Sequence, residues 1–188
     1  EGLQKSRSAE LLKALSVTSP LSLFELPMSK NREAAWNAYD KVWAQSKVLY
    51  EQEKRVVIVV EGDASIYASI HYVLDKLADE SVPVEQLPGI PSFIAAAGLA
   101  HLHLIQQEEK LVVIPGTVTL TELDNYLKNK CVPVIMKLSQ CASVVKEYMD
   151  MHSEYTYHYF ENVGTERAVY LQDRPQILER EIPYFSLL

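Results

Sequence analysis

Residues 56–60 read VVIVV, five apolar residues without polar alternation, and they run directly into Glu61-Gly62-Asp63. A half-exposed strand alternates apolar and polar side chains. An unbroken apolar run is covered on both faces, the pattern of a strand inside a parallel sheet. Parallel neighbours require long crossovers, usually helices, so this single run predicts a chain of alternating strands and helices. The rest of the sequence keeps that rhythm. SAELLKAL (8–15) reads as a helix and LSLFELPM (21–28) as a strand. Residues 31–54 form a long amphipathic pattern in which Ala35, Tyr39, Val42 and Trp43 recur at helical spacing. A helix over 65–80 places Ile66, Ile70, Val73, Leu74 and Leu77 on one stripe. VPVEQLPG (82–89) reads as strand and turn, and 92–104 as a helix entered through Pro91.

The second half repeats the scheme. Strands are expected at 110–116 and 132–138, with helices at 119–130 and 139–151. Strands at 155–161, 166–172 and 183–188 then follow one another with little helix between, which predicts a mixed or antiparallel sheet. The expected architecture is α/β, with an N-terminal domain on a parallel sheet (1–105) and a C-terminal domain on a mixed sheet (106–188). The polar stretch 98–108 reads as a helical hinge.

A chain of 188 residues, 48% hydrophobic, is long enough for one large or two small cores. Its net charge of −7 argues against nucleic acid as a partner, though not against a small anion held in a locally basic pocket. No apolar run approaches the roughly 20 residues that span a bilayer, and the polar opening EGLQKSRSAE is no signal peptide. Cys131 and Cys141 do not form a close metal or redox pair and read as reduced cytosolic thiols, so a cytoplasmic protein is expected. His101 and His103, two apart on a helical pattern, do not share a face, and no metal site is expected.

Open α/β sheets bind ligands beyond the carboxyl ends of their strands. Three turns occupy that place: Glu61-Gly62-Asp63, Pro88-Gly89-Ile90-Pro91-Ser92 and Pro115-Gly116-Thr117. Glycine admits close backbone approach, and a following helix aims its positive end at the same point. An ordinary turn capped by Asp63 is the structural alternative. Neither GxGxxG nor GxxxxGK[ST] occurs.

These segments resemble a known family. EGDASIYAS (61–69) resembles the GDPxxYS signature of the tetrapyrrole methylases, and LPGIPSFIAAAGLA (87–100) resembles their PGxSSxxAAxA segment at the expected distance. VPVIMKL (132–138) is similar to the family strand whose methionine meets the cofactor. FELPMSKNRE (24–33) is similar to FPMTxDRE of the branch that methylates C(20) of precorrin-2 or cobalt-factor II, and RSAELL and PYFSLL fit that branch. The chain departs from the pattern in lacking the family's first strand with its GPGD loop, in carrying Ala64 where proline is usual, and in carrying Pro91 where serine or threonine is frequent.

The resemblance implies an S-adenosylmethionine-dependent C-methyltransferase with its cofactor in a cleft between two domains. It implies Glu61, Gly62, Asp63 and Ile66 along one side of that cofactor, Pro91 and Ser92 along another, and Met136 near the adenine. Tyr67 is the candidate base for the proton released after transfer; a packed aromatic with a hydrogen-bonded hydroxyl is its structural alternative. The substrate is a polycarboxylate, so Lys5, Arg7, Lys30 and Arg32, in the segments that resemble the branch, are expected to bind it; otherwise they are solvated surface charges. A homodimer is implied, with no nucleic acid and no membrane. The alternatives are a sibling enzyme acting on uroporphyrinogen or another corrin precursor, and a non-catalytic ligand-binding module.

Overall fold

A computed structural model of the chain describes residues 7–25 and 32–188. Two compact units part at Gly89–Ile90, rather than near Gln106. The first contains helices α1 (Arg7–Ala14), α2 (Arg32–Glu51) and α3 (His71–Asp79). Its core joins Val42 of α2 to Ile70, Val73 and Leu77, with Tyr39, Trp43, Ile58 and Val60 packed against them. Lys47 and Lys76 lie 5.7 and 5.3 Å from the centroid of the Trp43 ring, and Lys76 pairs with Asp40 to tie α3 to α2.

The expected N-terminal parallel sheet does not form among the described residues of this unit. VVIVV carries no strand ladder. Ile58 and Val60 pack onto the helical core, whereas Val57 is 74% and Val59 47% exposed. The run is apolar on both faces, yet the described residues cover only one, and none of them pairs with it as a ladder neighbour. LSLFELPM, as far as it is described, and VPVEQLPG likewise lack ladders. The helix expected from residue 65 begins at His71, because residues 61–70 are held in turns and Tyr67 takes a left-handed φ of 49°.

The second unit realises the α/β pattern. Its elements are α4 (Ser92–Leu99), β1 (Lys110–Ile114), α5 (Leu120–Lys128), β2 (Cys131–Ile135), α6 (Ala142–Met151), β3 (Tyr159–Glu161), β4 (Val169–Leu171), α7 (Arg174–Glu179) and β5 (Ser186–Leu187). β1 and β2 are parallel, from Lys110 opposite Cys131 to Ile114 opposite Ile135. β3 lies antiparallel between β4 and β5. α5 opens on a full capping box, with Thr119 accepting from the Glu122 amide and the Glu122 side chain accepting from Thr119 N. Tyr159, Ile135, Leu138, Met149 and Ile177 are buried almost completely.

Two expectations change here. The 98–108 stretch is not a helix: α4 ends at Leu99, His101 adopts φ 52°, and the Leu102 amide donates back to Ala97 O at 2.9 Å. α4 belongs to the second unit because Ala96 packs with Phe160 and Leu187. Helix α7, unanticipated, starts at Asp173, which caps the Gln176 amide at 2.9 Å ahead of Pro175. No helix among the described residues is long and apolar enough to cross a membrane.

At the end of β3, Glu161 is 6% exposed. Arg180 grips it with two bonds, Nε to Oε1 and Nη2 to Oε2 at 3.0 Å, and Tyr159 Oη donates to Oε1 at 2.5 Å. These donors, Arg180 first, hold the carboxyl below its ordinary range despite burial. A group depressed in this way stabilises the fold above its unfolded pKa, and that contribution is lost as pH falls through the folded value. Arg180→Met removes the guanidinium and leaves a buried carboxylate, so urea unfolding at pH 7 followed by circular dichroism should show a loss of about 3 kcal/mol. The gap to the parent should narrow on acidification as Glu161 protonates, and the double variant that combines Arg180→Met with Glu161→Gln should recover part of the loss.

Candidate functional site

In the first unit, the turn after VVIVV is built around a contact that admits no side chain. Gly62 has φ 79°. A Cβ placed on Gly89 would stand 2.0 Å from Gly62 O and 3.1 Å from Asp63 Cα. The two turns therefore meet backbone to backbone. Asp63 fastens them: one carboxylate oxygen accepts from Ser65 Oγ and, at 2.8 Å, from Ser65 N, while the other accepts from Gly89 N at 2.7 Å. The Ser65 hydroxyl, then the Gly89 and Ser65 amides, draw the Asp63 pKa below its ordinary value. Asp63 is thus an anion at neutral pH whose oxygens are committed to shaping the turn, rather than the cap of a helix starting at 65.

Glu61 and Gly62 are exposed, Ile66 is half-buried, and Ala64 packs against the α2–α3 core. Tyr67 is 48% exposed in its left-handed conformation. Non-glycine residues with positive φ are uncommon and cluster where function imposes them.

In the second unit, Pro91 (φ −57°, ψ 147°) is the N-cap residue of α4 and Ser92 is its first residue. Their half-buried side chains stand at the positive end of that helix. Two further turns meet at the carboxyl ends of β1 and β2. Gly116 has φ 95°, and a side chain there would approach Lys137 O and Gln140 Oε1 to 3.0 Å each. Met136, half-buried, donates from its amide to Ile114 O at 2.8 Å and bridges to Leu187. Lys137 then turns left-handed (φ 53°, ψ 43°) into the 3-10 turn Leu138–Gln140.

Within their units, the structure joins Gly62 and Asp63 to the Pro88-Gly89 turn, and Met136 to Ile114 at the end of β1. Lys5 and Lys30 lie outside the described residues, as do the side chains of Arg7 and Arg32, which open α1 and α2. Two residues escape the sequence reading. Gly89 reads there only as part of a turn; its signal is a glycine directly after proline at the end of an apolar segment. Lys137 reads as a strand residue; its signal is the one cation closing VPVIM.

A sequence model of the family described as Tetrapyrrole (Corrin/Porphyrin) Methylases matches residues 3–174. The chain is 29% identical over 135 residues to a precorrin-2 C(20)-methyltransferase of Sinorhizobium sp, covering 72% of this chain and 55% of that protein. It is 29% identical over 150 residues to a probable cobalt-precorrin-2 C(20)-methyltransferase of Methanocaldococcus jannaschii, covering 78% and 63%. The chain therefore spans little more than half the length of these curated relatives. Among solved structures, a cobalt precorrin-4 methyltransferase superposes with a TM-score of 0.65 at 19% identity, over 79% of this chain and 69% of that one. The methyltransferase CobJ superposes with a TM-score of 0.56 at 14% identity, over 97% and 85%. These likenesses establish the fold.

Both tryptophans, Trp36 and Trp43, lie in the first unit, so their fluorescence isolates its unfolding. Gly89→Ala cannot be accommodated against the Gly62 carbonyl without moving backbone. It should lower the stability of this unit by about 1–3 kcal/mol in a urea titration read by tryptophan emission. An unchanged midpoint would show that the turns do not meet as described.

Proposed function

The chain belongs to the tetrapyrrole (corrin/porphyrin) methylase family, and from that membership we propose that it transfers a methyl group from S-adenosylmethionine to a carbon of a tetrapyrrole. The finer assignment is C(20) methylation of precorrin-2 or its cobalt form on the route to cobalamin. The observation that carries it is the alignment of 72% and 78% of this chain with two relatives bearing C(20)-methyltransferase names.

The residues present fit the cofactor. Glu61 and Gly62 are exposed, so their turn can offer backbone groups to a ligand, while Gly89 serves the contact between the turns, and the anionic Asp63 favours a nearby sulfonium. Glu61, Gly62, Asp63, Ile66, Pro91, Ser92 and Met136 are the proposed contacts. A thioether and an aliphatic side chain suit an adenine face. When bound, S-adenosylmethionine supplies a methyl group already activated by its sulfonium.

The chain's own task is then to hold the electron-rich carbon in line with that methyl group and to exclude water. Such positioning is worth about 7–11 kcal/mol in favourable cases. No catalytic triad is required. Tyr67, held in a left-handed conformation, is the proposed acceptor of the proton lost from the methylated carbon. The substrate's carboxylates must be met by local cations in a protein of net charge −7. Lys5, Arg7, Lys30 and Arg32 are proposed for this, with Lys137 added at the mouth of the β1–β2 pair.

Titration calorimetry with S-adenosylmethionine, followed by methylation assays on metal-free and cobalt-loaded precorrin-2, tests the proposal. Binding with turnover supports it; binding without turnover favours a ligand-binding module; absence of binding refutes the cofactor reading. Arg7→Ala and Lys137→Ala should each raise the tetrapyrrole KM about tenfold, the loss expected from one charge-assisted contact. Neither should weaken S-adenosylmethionine binding; equal loss of both ligands would argue against a substrate role.

A further inference from the structure

Tyr184 and Phe185 are the two most exposed aromatic side chains among the described residues of the second unit, at 39% and 49%. Rings of this size dominate the energetics of cores and interfaces, and the same unit buries Tyr159 and Phe160 almost completely. The exposure is built in by the turn that carries the pair. Ser186, itself buried, donates from Oγ to Pro183 O at 2.5 Å. That bond fixes the backbone on either side of the two rings. The rings meet edge to face, with centroids 5.2 Å apart and planes at 86°. Each ring therefore steadies the other, and such a pair leaves ring face uncovered.

The strand register places the pair. β5 runs antiparallel to β3, with Phe160 opposite Leu187 and Glu161 opposite Ser186. One step further, Asn162 N donates to Phe185 O at 2.9 Å. On the other side, Ile135 and Leu188 exchange backbone bonds of 2.8 and 3.0 Å, and Met136 bridges Leu187 in the antiparallel sense. A segment antiparallel to both β2 and β3 begins where they end. Tyr184 and Phe185 thus stand at the carboxyl edge of these strands, where β2 gives way to Met136 and Lys137 and β3 to Asn162. β1, parallel to β2, ends on the same edge. Ligands of open α/β sheets lie beyond that edge.

The chemistry of this edge has two parts. An uncovered aromatic face stacks on a flat unsaturated ring whatever substituents that ring carries. A lysine ammonium pairs with a carboxylate. A tetrapyrrole presents both features, a broad ring with carboxylates at its periphery. We infer that Tyr184 and Phe185 form the platform on which the substrate's macrocycle stacks, with Lys137 meeting a carboxylate at its rim. The inference rests on the tetrapyrrole reading above and deepens it: these two side chains recognise the ring, and the cations recognise its substituents.

The test titrates the full chain with uroporphyrin III, a stable flat polycarboxylate, and follows the porphyrin's fluorescence. Tyr184→Ala and Phe185→Ala should each weaken binding about tenfold, whereas Tyr184→Phe and Phe185→Tyr should retain it. The alanine variants should keep the parent's S-adenosylmethionine affinity in calorimetry and its thermal midpoint in circular dichroism. Parent-like porphyrin binding by both alanine variants overturns the platform and leaves the tetrapyrrole reading standing. Loss of S-adenosylmethionine affinity in place of porphyrin affinity overturns it by assigning the rings to the sulfonium. A lowered thermal midpoint with both ligands weakened overturns it by making the pair structural. A change in sedimentation with porphyrin binding intact overturns it by assigning the pair to a contact between copies. If the parent itself binds no uroporphyrin III, the platform fails, and turnover of precorrin-2 decides separately whether the methyl-transfer reading fails with it.

Discussion

Gly62 and Gly89 touch through their backbones, and no side chain fits between them. That contact governs the first unit's candidate chemistry. Two turns far apart in sequence cannot rely on side-chain packing where there is no side chain. The Asp63 carboxylate supplies what packing cannot, one oxygen serving Ser65 and the other Gly89. Because both oxygens are engaged, its negative charge persists at neutral pH while its geometry is fixed. A group that shapes a turn and also fixes its electrostatic sign needs no direct ligand contact to matter.

In the second unit the corresponding role falls to a backbone ladder. The parallel β1–β2 pair brings Gly116 and Lys137 into contact at its carboxyl end. Gly116 takes its φ of 95° without steric cost, whereas the φ of 53° at Lys137 is costly local geometry, sustained above Ile114, Ile135 and Leu138, which are buried almost completely. Rigid strands thus carry irregular, conformationally demanding loops, the usual division of labour between scaffold and site.

Much of this is legible in the sequence, and the exceptions are physical. The strands expected at 110–116 and 132–138, with a helix between them, form and pair in parallel. VVIVV has the same composition, but its ladder partners are absent among the described residues, and periodicity reports what a segment can bury rather than what lies beside it. The helix expected at 65–80 has a correct apolar stripe from Ile70 to Leu77, but Asp63, Ser65 and Tyr67 hold the preceding residues in turns, and hydrogen-bonding side chains override periodicity there. α7 is hidden because six residues are too few to show a period; only Asp173 and Pro175 mark it. The turns at Glu61-Gly62-Asp63 and Pro88-Gly89 are visible as punctuation, whereas their mutual contact is not, because sequence spacing does not encode a meeting across 26 residues. Lys137 is obscured because it ends an apolar run and so reads as part of the strand.

The acidic balance of the chain bears on how a polyanionic substrate would be selected. A net charge of −7 repels carboxylates at long range, and at physiological salt that repulsion fades over about 8 Å. Discrimination must then arise from contacts within that distance, where a few fixed cations outweigh the distant field. A protein positive overall would attract any polyanion, nucleic acid included. An acidic one that presents isolated basic residues at a strand mouth favours only ligands able to place carboxylates against those residues.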